Sequence, residues 1–112
     1  MIVGLGVDVV SIARIRAAMK NPRFLERILT ETERKTLLTP ERVAGRWAAK
    51  EALSKALPAL NNWHDVEVFN DDDGAPFAKL SERLALEPGL SLHLSISHES
   101  GYAAAVAIVE KA

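Results

Sequence analysis

The chain contains no cysteine. Disulfides, thiolate nucleophiles and cysteine-ligated zinc or iron–sulfur centres are therefore excluded. A reducing compartment is compatible with that composition. Aromatic residues make up only 5% of the chain and are not interleaved with the basic ones, which argues against a nucleic-acid platform built on base stacking. The longest apolar run, Tyr102 to Val109, is too short to span a bilayer. The opening MIVGLGVDVV lacks the basic n-region and small-residue cleavage site of a secretory signal. Neither a nucleic-acid nor a membrane partner is expected, and the expected location is cytoplasmic. No GxSxG elbow or P-loop pattern occurs. The histidines at 64, 93 and 98 are too dispersed for a zinc-ligand spacing.

What is present fits one soluble domain. The 112 residues, 48% hydrophobic and 26% charged, suffice for a single core. The net charge of −1 hides an asymmetry. Residues 1–58 hold 11 Lys/Arg against 6 Asp/Glu, a net +5, and residues 59–112 hold 3 against 9, a net −6. A basic half by itself points to an anionic partner, whether nucleic acid, a phosphorylated ligand or an acidic protein, although solvated helix faces carry the same signature.

Val3, Leu5, Val7 and Val9 alternate with Gly4, Gly6 and Asp8, which reads as a strand. One face is apolar. The other is nearly bare and ends in a carboxylate, and strand glycines mark close approach by a ligand or another backbone. Ser11 is an N-cap candidate for a short helix, SIARIRAAMK, which Asn21-Pro22 ends. FLERILT reads as a second short helix. Thr30 caps TETERKTLL, with Glu33 at the capping-box position. Thr39-Pro40 starts a long helix that stops before Pro58. That helix is widely apolar, with a narrow polar band of Arg46, Lys50, Glu51, Ser54 and Lys55. DVEVFN and PFAKL read as strands around a turn at Asp71–Gly74. LSLHLSIS alternates up to His98, turns at Glu99–Gly101 and returns as YAAAVAIV. The return strand is apolar on both faces, which suggests a covered sheet or a subunit interface. The order of elements gives an α+β fold.

Asp8 and Glu51 are remote in sequence, each on a firm element among small or apolar neighbours. Mg²⁺ is commonly held by one or two carboxylates, substrate phosphates and waters. Lys50, Lys55, Arg46 and His98 are cations that suit a polyphosphate ligand at the same site. The competing interpretation of Glu51 and Lys55 is an exposed i,i+4 pair, a common feature that stabilises a helix by about 0.3–0.5 kcal/mol. Asp8 reads equally as an end-of-strand cap, and His98 as a hairpin residue bonded to backbone.

Longer blocks extend the argument. GLGVDVVSIARI (residues 4–15), WAAKEALSKAL (47–57), VEVFNDDDGAPF (66–77) and LHLSISHESGYAAAVAIVE (92–110) resemble, in order and over nearly the whole chain, the holo-acyl-carrier-protein synthase family of small bacterial phosphopantetheinyl transferases. The resemblance implies transfer of phosphopantetheine from coenzyme A to a serine of apo-acyl carrier protein, with adenosine bisphosphate leaving. It implies Mg²⁺ held by Asp8 and Glu51, with Lys55 on the phosphate beside the attacked phosphorus. It makes Arg46, Lys50, Ser54 and His98 candidate coenzyme A contacts. The proton of the serine goes either to Glu51 or to a metal-bound water. It implies an acidic carrier docked on a basic first helix, with Arg14 foremost, Arg16, Lys20, Arg23 and Arg27 supporting and Phe24 as an apolar anchor. It further implies a homotrimer with active sites between subunits, and antiparallel strands wrapped over one long helix. Two departures stand out. The loop after the second motif, PALNN (58–62), has no glycine, and Gly74-Ala75-Pro76 lacks the lysine usual in the family. They keep a non-catalytic carrier-binding module as an alternative, beside another Mg²⁺-dependent phosphoanhydride enzyme.

Overall fold

The computed structural model describes residues 1–36 and 38–112. Two glycines set its geometry. Strand β1 (Ile2–Ser11) lies against the long helix α4 (Pro40–Ala56) through its bare face. A Cβ on Gly6 would overlap the Ala52 carbonyl oxygen, and one on Gly4 would overlap that of Ala56. The close approach inferred for these glycines is thus by the backbone of α4.

Between β1 and α4 come three short helices: α1 (Ile12–Ala18), α2 (Pro22–Ile28) and α3 (Glu31–Arg34). Each start is capped by a side-chain oxygen. Ser11 Oγ accepts from Arg14 N at 3.3 Å, and Asn21 Oδ1 accepts from Arg23 N at 3.1 Å. Pro22 opens α2, so the proline that ends one helix also begins the next. The capping box at α3 is complete. Glu33 N donates to Thr30 Oγ1 at 3.2 Å, and Thr30 N donates to Glu33 Oε1 at 2.9 Å. The helix expected over TETERKTLL is a single turn, and Leu37 lies outside the described residues. Thr39 caps α4 by accepting from Arg42 N at 3.2 Å.

A 3-10 turn (Trp63–Asp65) leads into β2 (Val66–Asn70), which pairs antiparallel with β3 (Pro76–Leu80) as a separate two-stranded sheet. SERLALEP contributes only a 3-10 turn at Glu82–Leu84. β4 (Leu90–Glu99) and β5 (Tyr102–Lys111) form the long hairpin, whose turn uses Gly101 at φ 115°. The larger sheet has the order β1-β5-β4, all antiparallel.

Ala103, Ala105, Ala107 and Val109 of β5 are buried against α4, together with Ala48, Ala49, Ala52 and Leu53 of the helix. These small side chains let the helix settle onto the sheet. A second apolar cluster joins α1 and α2 to the start of α4 through Ile12, Ile15, Ile28, Leu29, Val43 and Ala44. The result is the α+β arrangement expected, strands over one long helix.

The far face of the larger sheet is uncovered. Val3, Leu5, Val7 and Val9 are 51–63% exposed. Their register partners Ile108, Val106 and Ala104 on β5 are half-buried beside them. Glycine on one face gave β1 its contact with the helix, so its branched residues were left pointing away from the core.

Candidate active site

Asp8 sits on β1 two residues beyond Gly6, and Glu51 is the α4 residue just before Ala52, whose carbonyl Gly6 admits. The same close contact therefore brings the two carboxylates to one place. Both line a cleft of about 320 Å³ with Val9, Val10, Ser11, Arg14, Ile15, Ala18, Phe24 and Trp47. Glu51's carboxyl is pushed above the usual range, first by burial and then by the negative charge of Asp8, while Lys55 opposes both. Lys55 Nζ lies 3.3 Å from Asp8 Oδ1 and donates to the Val7 carbonyl at 2.8 Å. Its side chain remains 52% exposed.

Two carboxylates repelling each other beside a cleft are a fitting seat for a hard divalent cation, because such a cation takes oxygen donors. Among the described residues, no group of three or more His, Cys, Asp or Glu stands together as a metal cage. A two-carboxylate seat matches Mg²⁺, which keeps waters and substrate oxygens for its other positions.

A second cleft, about 210 Å³, lies on the other side of α4's first turns. Arg42, Arg46 and His98 line it with Glu41, Gly45, Val68, Asn70, Gly74, Pro76 and Ile96. Arg46 donates from Nη1 to the Arg42 carbonyl at 3.5 Å, while its buried Nε has no partner among the described residues. Burial lowers the pKa of this guanidinium, Glu33 partly restores it and Arg42 lowers it again.

Two expected ligand contacts are placed elsewhere. Lys50 leaves the polar band of α4 and is fully buried. Its ammonium donates to Glu33 Oε1 at 2.6 Å, the Ile28 carbonyl at 2.7 Å and the Trp63 carbonyl at 3.0 Å. With three protons and three acceptors it has nothing left for a phosphate, so the assignment of Lys50 as a coenzyme A contact is corrected. Ser54 donates its hydroxyl to the Glu51 carbonyl at 2.7 Å and lines neither cleft. The helical register explains both, since the polar residues of α4 point to different neighbours.

The candidate docking residues divide. Arg14 is at the mouth of the first cleft. Lys20, Arg23, Phe24 and Arg27 line a shallow groove between α1 and α2, with the Arg27 guanidinium 5.8 Å from the Phe24 ring centroid. Arg16 points the other way and meets Glu41 at 3.5 Å. The two departures divide as well. Ala75 sits between Gly74 and Pro76 at the second cleft, whereas the loop 58–62 lines neither cleft and tucks Leu60 into the core.

Sequence reasoning passed over Arg42, Asn70, Ser11 and Trp47 as cleft residues. Arg42 was detectable, one helical turn before Arg46. Asn70 was not, because only the packing of β2 on α4 brings it there.

The family model for the 4'-phosphopantetheinyl transferase superfamily matches residues 4–107. The holo-[acyl-carrier-protein] synthase of Salinispora arenicola is 43% identical, with 99% of this chain and 100% of the relative covered. That of Beutenbergia cavernae is 44% identical, again over 99% and 100%. Among solved structures, the Bacillus anthracis holo-(acyl-carrier-protein) synthase in complex with CoA (3',5'-ADP) superposes with a TM-score of 0.84 at 40% identity, covering 100% of this chain and 99% of that one. The Helicobacter pylori enzyme in complex with coenzyme A gives 0.82 at 35% identity, over 95% and 99%. The fold is shared with these transferases, and the chain belongs to the 4'-phosphopantetheinyl transferase superfamily. Within it, the relatives that match end to end are holo-[acyl-carrier-protein] synthases.

Proposed function

We propose that the chain transfers phosphopantetheine from coenzyme A to a serine hydroxyl of apo-acyl carrier protein, releasing adenosine bisphosphate. Coenzyme A extends from the second cleft to the first. Arg42, Arg46 and His98 take its anionic groups, which gives the unpartnered Arg46 Nε–H an acceptor. Asp8 and Glu51 are the residues that would hold Mg²⁺ there. When bound, the ion neutralises phosphate charge and polarises the phosphorus under attack. Lys55, half exposed and tethered to Asp8 and the Val7 carbonyl, reaches the phosphate beside that phosphorus.

The serine oxygen forms the new P–O bond as the pyrophosphate P–O bond breaks, and the electron pair leaves with adenosine bisphosphate. The serine proton passes to Glu51 or to water at the site. Arg14 stands at the mouth of this cleft, and Arg23, Phe24 and Arg27 on α2 extend a basic surface from it. A carrier rich in acidic residues is steered there.

The uncovered face of β1 supports a homotrimer, with neighbouring copies burying Val3, Leu5, Val7 and Val9. Among the described residues no helix is long and apolar enough to cross a membrane, and the proposed location is the cytoplasm.

The observation that carries the reading is the meeting of Asp8 and Glu51 at one cleft, with Lys55 beside Asp8, in a chain whose relatives are synthases of this kind. The test is intact-protein mass spectrometry of an apo-carrier protein incubated with the purified chain, Mg²⁺ and coenzyme A. The carrier gains one phosphopantetheinyl mass, and Asp8→Ala or Glu51→Ala abolishes the gain. Unchanged mass across several carriers, with coenzyme A binding retained, overturns the transferase in favour of a binding module.

A further inference from the structure

Lys50 and Glu33 form a buried node that the transfer chemistry leaves unused. Both are 0% exposed, and Arg46 and Glu67 are the other charges that act on the pair. The Lys50 ammonium gathers the last carbonyl of α2 (Ile28), the Trp63 carbonyl of the 3-10 turn and the Glu33 carboxylate of α3. Glu33 in turn accepts from Thr30 N through Oε1 and from Val68 N of β2, at 2.9 Å, through Oε2. Four segments thus meet at one ion pair rooted in α4, at the residue preceding Glu51.

A buried pair of this kind is not the cheapest way to stabilise a core, because two desolvated charges are often matched or exceeded by apolar side chains of similar volume. Its distinctive property is geometric. Directional bonds set where α2 ends, whereas apolar contacts allow it to slide. Helix α2 is only seven residues long; besides the node it is held by the burial of Ile28 and its C-cap Leu29, by Phe24 and Leu25 packed on the same cluster, and by hydrogen bonds from Arg34 Nη1 to the Leu29 carbonyl and from His64 Nε2 to the Glu26 carbonyl, both at 2.7 Å. β2 is less dependent on the node, because it keeps its own ladder with β3 and the buried Val66 and Val68.

We infer that Lys50 and Glu33 are positioning residues that fix the carrier-docking helix α2 relative to Glu51, so that Arg23, Phe24 and Arg27 present the carrier serine in register with the first cleft. The inference rests on the proposed docking at α2.

The test compares two variants of the full chain. Lys50→Met with Glu33→Leu replaces the pair by apolar groups of similar size. Arg23→Glu with Arg27→Glu attacks the docking surface itself. In steady-state assays at a temperature where it is fully folded, the first variant raises KM for the apo-carrier about tenfold and leaves KM for coenzyme A within about twofold. Its α2 amides exchange with deuterium faster while those of α4 do not. The second variant raises the carrier KM without altering amide exchange. If the carrier KM is unchanged in the first variant and raised in the second, the positioning role falls and the docking surface stands. If it is unchanged in both, the docking reading falls and takes the inference with it. An equal rise in KM for both substrates in the first variant means general loosening, and also overturns it. Should the first variant not fold, Glu33→Gln serves, since it removes the charge and keeps one of the two acceptor oxygens, its amide nitrogen facing a donor at the other position. An intermediate rise confined to the carrier KM supports the role, and no rise overturns it.

Discussion

Helix α4 carries two lysines five residues apart, Lys50 and Lys55, each joined to a carboxylate from a distant element. At 2.6 Å and without solvent, Lys50–Glu33 is a closed structure with every ammonium proton assigned. At 3.3 Å, with the lysine half in water, Lys55–Asp8 is open on the side of the cleft. The difference lies in what each charge is able to do next. An ammonium already desolvated and saturated fixes its neighbours in place. One that keeps its water is free to exchange a carboxylate for a phosphate, or to give way to a divalent ion.

The comparison is broken or sharpened first by measuring stability. Lys50→Met leaves Glu33 a buried carboxylate without its partner and lowers the unfolding free energy by about 3–5 kcal/mol in urea titrations. Lys55→Met changes it by under about 1 kcal/mol, because the pair is half exposed. Equal losses would end the distinction. Turnover reverses the order for the wet lysine. Lys55→Met loses about 10²-fold or more in kcat with little change in fold, as removal of a transition-state charge partner does.

The support beneath the open pair is probed by Gly6→Ala. The added methyl meets the Ala52 carbonyl, so α4 must move off β1. Unfolding free energy falls by about 1–3 kcal/mol. Divalent-cation affinity, followed by calorimetry, falls with it because Asp8 and Glu51 separate. Retained affinity would show that the glycine contact does not set the site.

The smallest effect is a pH dependence. Glu51's folded pKa is raised, so its protonated form favours folding and that contribution is lost as pH rises through the folded value. Metal-free Glu51→Gln, which never bears the charge, is therefore the more stable protein at neutral pH. The gap closes on acidification below the ordinary glutamate value of about 4.3. Added Mg²⁺ reverses the gap at neutral pH, since only the carboxylate binds it. A gap that persists in acid would place the cause outside this carboxyl.

Much of the fold was legible along the chain. Ser11, Thr30 and Thr39 announced helix starts because capping is local chemistry, an oxygen finding an amide three residues on. The alternation of LSLHLSIS gave β4 for a similarly local reason, the two-residue period of a strand. The limits of that reading appear on α4, where one polar band divided in three. Arg46 turned to the second cleft, Glu51 to the first with Lys55 beside its Asp8, and Lys50 into the core. Nothing along the helix separates these fates. Lys50 required Glu33, seventeen residues upstream, and the ends of α2 and the Trp63 turn to meet it.

The sequence by itself determined the elements, their caps and, through four ordered blocks, the family, because those depend on residue type and short spacing. Tertiary structure alone decided which charges became dry and which stayed wet, and that β1 offers its glycines rather than its valines to the helix. Desolvation is a property of what surrounds a side chain, and the surroundings of Asp8, Glu51 and Lys50 are built from segments that touch only once the chain is folded.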